Sequence, residues 1–170
     1  AVNKARYLAV GQGTVVTPLH VASAMATIAR GGEFRSPLLV RELADRQQVR
    51  RLKISPEHVR LIQEGMYRVV NSRRGTAYKY AHDPTIEICG KTGTAQTPAR
   101  RIDSNGDGRI TSADRAVLTG DTAWFVGFAP YRRPRIAFVV VVEYAQAGGA
   151  RTCGPIARKV LVACRDRGYL

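Results

Sequence analysis

With 170 residues, 45% of them apolar and 24% charged, the chain can build one globular domain with its own core, which excludes disordered and fibrous classes. The formal charge of +14 attracts anions, but only Arg50-Arg51, Arg73-Arg74, Arg100-Arg101 and Arg132-Arg133 adjoin, and no nucleic-acid motif accompanies them. A solvated basic face is therefore expected, and no nucleic-acid partner.

Thr17-Pro18 reads as an N-cap followed by proline at the first helical position. Val21, Ala24, Met25 and Ile28 then recur at helical spacing until Gly31-Gly32 stops the helix. The mixed, charged stretch from Phe34 to Ile54 predicts short strands and loops. Ser55-Pro56 repeats the start signal, and Val59, Ile62, Met66 and Val69 mark the buried face of a second helix.

From Ile86 the period changes. Ile86 to Gln96 predicts a strand that holds two glycines, a composition that needs a reason. Thr122 to Ala129 alternates, with Trp124, Val126 and Phe128 on one face. Ile136 to Val142 is continuously apolar, as in a strand covered on both sides, and is far too short to cross a bilayer. Pro130 to Pro134 forms a short turn, so these two strands should pair as an antiparallel hairpin. Gly154-Pro155 is expected to open a last helix that buries Ile156, Val160, Leu161 and Cys164, with Gly168 past its end. The expected class is α+β, an antiparallel sheet with helices packed on its faces.

Cys89, Cys153 and Cys164 are odd in number, lack metal-site spacing and sit among apolar residues, which predicts buried free thiols. Ala1 to Arg6 has no apolar core of a signal peptide, and the missing initiator Met leads us to expect a chain cut from a longer one.

Chemistry concentrates in Cys89-Gly90-Lys91-Thr92-Gly93-Thr94-Ala95-Gln96. Glycines at 90 and 93 are expected to leave room for a substrate backbone beside the strand. Lys91 supplies a fixed positive charge, and Thr92 and Thr94 supply hydroxyls suited to a carboxylate. Lys-Thr-Gly alone is a short match. Its place on a predicted strand, the Thr-Ala that follows, and the later Thr122-Ala123-Trp124-Phe125-Val126-Gly127-Phe128-Ala129-Pro130 make it specific.

That combination resembles the penicillin-binding protein transpeptidase family, close to its monofunctional, elongation-type (class B) members. Gly11-Gln12-Gly13 with Thr17-Pro18-Leu19, Arg30-Gly31-Gly32, Gly75-Thr76-Ala77 and Pro155-Ile156-Ala157-Arg158-Lys159 resemble further family segments, so the likeness spans nearly everything outside about 99–120. It implies the C-terminal part of the penicillin-binding/β-lactamase-like transpeptidase fold, a single partial domain over 1–170. It implies that Lys91, Thr92, Gly93 and Thr94 belong to the catalytic cleft, and that Lys91, Thr92 and Thr94 hold stem peptides ending in D-Ala-D-Ala, or β-lactams. The Thr94 backbone N–H would be one of two oxyanion donors. No cofactor is expected for catalysis, and a site outside the cytoplasmic membrane with an anchor upstream is implied.

One departure decides activity. None of the six serines, at 23, 36, 55, 72, 104 and 112, begins Ser-x-x-Lys or Ser-x-Asn. The nucleophile and its base are expected upstream, and the chain alone is expected to be inactive. The missing upstream half is then a partner, and its absence implies exposed apolar surface and self-association.

A second motif lies in the inserted segment 99–120. Asp103, Asn105 and Asp107 occupy positions 1, 3 and 5 of an EF-hand calcium loop, Gly108 position 6, Arg109 position 7 through its carbonyl, and Asp114 position 12. The Asp in place of the usual final Glu resembles dockerin loops, with 112–118 as the exiting helix. A structural calcium ion is expected there, held weakly because Arg100, Arg101, Arg109 and Arg115 surround it. The alternative to an enzyme part is a non-catalytic module that keeps the recognition strand and adds a calcium loop.

Overall fold

The computed structural model describes Gly11 and residues 14–170. Gln12 and Gly13 of the expected turn lie outside the described residues. Helix α1 (Pro18–Ala29) starts where the sequence predicts: the Thr17 hydroxyl accepts from the His20 N–H at 3.2 Å, and His20 Nδ1 accepts from the Thr17 N–H at 3.3 Å. The helix stops at Gly31 and Gly32, whose φ of +70° and +93° lie in the left-handed region. Two three-residue strands, β1 (Glu33–Arg35) and β2 (Val49–Arg51), pair antiparallel around a 3-10 turn at Arg41–Arg46. Helix α2 (Pro56–Asn71) is capped by Ser55, and the short α3 (Tyr78–Ala81) follows.

The sheet is three-stranded, in the order β3 (Cys89–Ala95), β6 (Asp121–Ala129), β7 (Ile136–Ala145), all antiparallel. Between β3 and β6 runs a small hairpin of β4 (Arg100–Arg101) and β5 (Ala116–Leu118). Helix α4 (Gly149–Asp166) closes the described chain. Helices flank both faces. On one side Ile88, Ala123 and Phe125 pack with Cys153, Ala157 and Leu161 of α4; on the other Cys89 and Phe128 meet Met66 of α2 and Met25 and Ile28 of α1. The expected α+β arrangement is what the chain adopts.

Four local expectations need correction. The last helix begins five residues before Gly154, with Pro155 inside it. An internal proline removes a helix hydrogen bond, and here burial of Gly149 and Cys153 against the sheet and of Gly154 against Tyr80 and Ala81 of α3 outweighs that loss. Its buried stripe is Cys153, Gly154, Ala157 and Leu161, whereas Ile156 and Val160 are 43% and 52% exposed. Small residues bring the start of α4 close to the sheet, while Ile156 and Val160 are left on its outer side. Strand β7 is only half-buried along 136–142, because it forms an edge of the sheet among the described residues. The segment after Asp114 is strand β5, paired with β4, in place of an exiting helix.

All three cysteines are free; Cys89 and Cys153 are buried, and Cys164 is partly so. Burial pushes the Cys89 thiol up to about 12, and also raises that of Cys153, so neither is an available nucleophile near neutrality.

Candidate active site

Strand β3 positions the predicted residues. It pairs with β6 along one edge, Gly93 opposite Trp124 and Thr94 opposite Ala123. Among the described residues its other edge has no strand partner. Such an edge presents backbone donors and acceptors to an extended peptide. Alternation sends Lys91 toward α1 and α2, where it lines an apolar hollow with Met25, Met66 and Val126. Lys91 is exposed, and its ammonium donates to the carbonyl of Thr92.

A groove of about 370 Å³ runs along Lys91–Ala95, with Val16, Val21, Trp124 and Val126 forming its apolar wall. Among the described residues no acidic side chain lines it, so an anionic group entering beside the threonines meets no like charge from them. Lys91, Thr92, Gly93 and Thr94 therefore share one cleft. Gly90 acts differently from the expectation. A Cβ at Gly90 would stand 2.5 Å from the Phe125 ring, so that position makes room for an internal side chain and not for a ligand. At Gly93 a Cβ would meet Trp124 Cβ at 3.3 Å.

Several lining residues escape the sequence reading. A second pocket of about 540 Å³ borders Thr92, Gly93 and Thr94, walled by Tyr80, Gln146–Ala150 and Arg151. Its wall is held close: a Cβ at Gly148 would reach Thr94 Oγ1 at 3.3 Å. The chain enters it through Tyr144, a non-glycine residue at φ 54°. The pair Gly148-Gly149 signalled this close approach, but the Gly-Pro further on is the stronger helix-start signal.

The predicted metal residues are placed on the β4–β5 turn. Gly106 and Gly108 have φ of +77° and +79°, and the Asp103 carboxylate accepts from their N–H groups at 2.7 and 2.8 Å. Asn105 donates to Asp107 at 3.0 Å, and the Arg109 N–H donates to Asp107 at 2.8 Å. Asp114 is 3% exposed and turns its carboxylate to Ser104 and Thr111, accepting from both backbone N–H groups and both hydroxyls. Those bonds, the Thr111 N–H foremost, hold its carboxyl down at about 2. Among the described residues no three carboxylate, imidazole or thiol side chains gather as a bound ion requires. The position-12 carboxylate, Asp114, is engaged in closing the hairpin.

Lys91-Thr92-Gly93-Thr94 thus lies on a strand that is an edge of the sheet among the described residues, beside a groove and backed by helices on both faces. The chain belongs to the penicillin-binding protein transpeptidase domain family, whose family model matches residues 2–162. It is 29% identical to the peptidoglycan D,D-transpeptidase MrdA of Haemophilus influenzae over 164 residues, 89% of this chain and 24% of that protein. Among solved structures, the penicillin-binding protein PBP2 in complex with MreC from Helicobacter pylori matches with a TM-score of 0.78 and 26% identity, over 100% of this chain and 29% of that one. A ceftriaxone acyl-enzyme complex of penicillin-binding protein A from Mycobacterium tuberculosis matches with a TM-score of 0.66 and 30% identity, over 90% of this chain and 33% of that one. The chain thus spans about a quarter of the curated relative and under a third of the first structure.

Proposed function

We propose that this chain forms the substrate-recognition side of a serine-type peptidoglycan D,D-transpeptidase acting outside the cytoplasmic membrane. The edge of β3 over its groove, which has no strand partner among the described residues, carries the reading. A stem peptide, or a β-lactam in its place, lies along Gly93–Ala95 with its terminal carboxylate at the Thr92 and Thr94 hydroxyls. A serine hydroxyl supplied from outside this chain attacks the penultimate D-Ala carbonyl and loses its proton to a neighbouring base. The oxyanion settles on two N–H donors, one of them that of Thr94. Terminal D-Ala departs with a proton, leaving an acyl-serine, and an amine of a second stem peptide then displaces the serine. The exposed apolar side chains Leu19, Leu61 and Ile62 on α1 and α2 form the surface against which the upstream half would pack.

This chain alone should take no covalent label from a fluorescent penicillin. In the complete protein, Lys91→Ala and Thr94→Val should each slow acylation, by the equivalent of about 1.5–3 kcal/mol for a hydrogen bond to a charged group. Labelling of the isolated chain places a nucleophile within it, and unchanged rates in both variants remove β3 from the cleft.

The turn geometry around Asp103 favours a second role, a structural calcium ion at 103–114. Asp103, Asn105, Asp107 and the Arg109 carbonyl would supply ligands, and Asp114 would join them only by releasing Ser104 and Thr111. That exchange and the flanking arginines predict a dissociation constant of about 10⁻⁴–10⁻³ M. Calorimetry on the wild type and on Asp103→Ala with Asp107→Ala decides it: no calcium heat at millimolar concentration, or equal heat from both, leaves a polar turn only.

A further inference from the structure

Lys91 shares the first groove with Thr92 and Thr94 and is turned to a backbone carbonyl, but it does not line the second pocket, which Thr92 and Thr94 also border. The charged side chain lining that pocket is Arg151, third residue of α4. Arg151 forms no ion pair with any described residue, and no carboxylate lines the pocket. The chain on either side of Arg151 is tied down by packing and a hydrogen bond. Gly149 is seated on the carbonyls of Trp124 and Gly93, and Thr152, which follows Arg151, bonds through its hydroxyl to the Ala147 carbonyl at 2.8 Å.

We propose that Arg151 is a substrate-binding residue that, with the Thr92 and Thr94 hydroxyls, takes a carboxylate of the acyl donor in the pocket between β3 and the start of α4. The inference rests on the transpeptidase reading and adds to it a residue that the Lys-Thr-Gly motif does not contain. A guanidinium is suited to the task because its planar fork binds a carboxylate through two parallel hydrogen bonds. A cation on a preorganised wall also raises the encounter rate of an anionic ligand, an effect that salt suppresses.

The test uses the complete protein and two probes, benzylpenicillin and its methyl ester. Arg151→Ala should lower the second-order acylation rate with the free acid by roughly tenfold and leave the slower reaction with the ester unchanged. Arg151→Lys should recover part of the loss, and the salt dependence seen with the acid should flatten in Arg151→Ala. Equal effects on acid and ester, or none on either, overturn the proposal. Arg151→Gln, which keeps most of the side-chain volume, serves the same comparison if the alanine variant does not fold. Lys91→Ala and Thr94→Val measured alongside keep the readings apart. If they slow acylation and Arg151→Ala does not, the strand remains in the cleft and Arg151 leaves it; if none does, the strand reading itself fails.

Discussion

Gly149→Ala should lower stability by about 3 kcal/mol, the upper part of the range for overpacked sites, and bring the melting temperature down by about 6–12 °C for a chain of this size. A Cβ at Gly149 would overlap the carbonyl oxygen of Trp124 and stand 2.6 Å from that of Gly93. Both obstacles are backbone atoms of paired strands, so no side chain can swing aside; helix α4 has to lift off the sheet. The same displacement would carry Arg151 away from Thr94, and acylation in the complete protein should fall with stability. The control is Gly65→Ala, inside α2, where nothing lies within 4 Å of the added methyl. Relief of glycine's entropy cost there should raise stability by about 0.5–1 kcal/mol. Thermal melts of both variants provide the check, and a Gly149→Ala melt equal to the wild type would show that α4 does not sit on β3 and β6.

Phe125→Ala should cost about 3–5 kcal/mol, the usual range for deleting a buried aromatic side chain. Phe125 is fully buried, its ring tilted 48° against Phe138 with centroids 5.6 Å apart, and it fills the space that Gly90 leaves open. The loss has a partner that can be tested. Gly90→Ala alone drives a methyl into the ring, whereas Gly90→Ala combined with Phe125→Leu gives that methyl a smaller neighbour. The double variant should therefore cost less than the sum of its parts, by roughly 0.5–3 kcal/mol of coupling. Denaturant titration measures all four corners of the cycle. Strict additivity would separate the two residues and return Gly90 to the ligand side of the strand.

Much of this site can be read from residue order. Lys91-Thr92-Gly93-Thr94 on a strand, and the antiparallel hairpin of β6 and β7, follow from alternation, a short turn and two short runs of motif. The start of α1 is equally legible, because Thr17-Pro18 is a local signal with a local cause. What sequence does not disclose is which neighbour a small residue accommodates. Gly90 reads as open space until Phe125 is found in it, and Gly149 reads as a loop until it is found beneath Trp124. Arg151 escapes for the same reason: its importance lies in a juxtaposition with Thr94 across 57 residues of chain, which no spacing rule reports. The segment after Asp114 is misread because the EF-hand pattern carries a helix with it, while Ala116–Leu118 finds a strand partner in Arg100–Arg101.

That small hairpin has one more property. Its base is closed twice, where Ala95 pairs with Thr122 and where the hydroxyls of Thr97 and Thr122 meet at 2.5 Å, and its tip is closed again by Asp114 gripping Ser104 and Thr111. A projection clamped at root and tip is mechanically insulated from the two strands it connects. The turn at 105–109 is exposed throughout, so it can be lengthened or exchanged without disturbing the pairing of β3 with β6. It is the natural place in this molecule to graft a reporter peptide, since a tag there would ride outside the cleft while Lys91 to Thr94 keep their register.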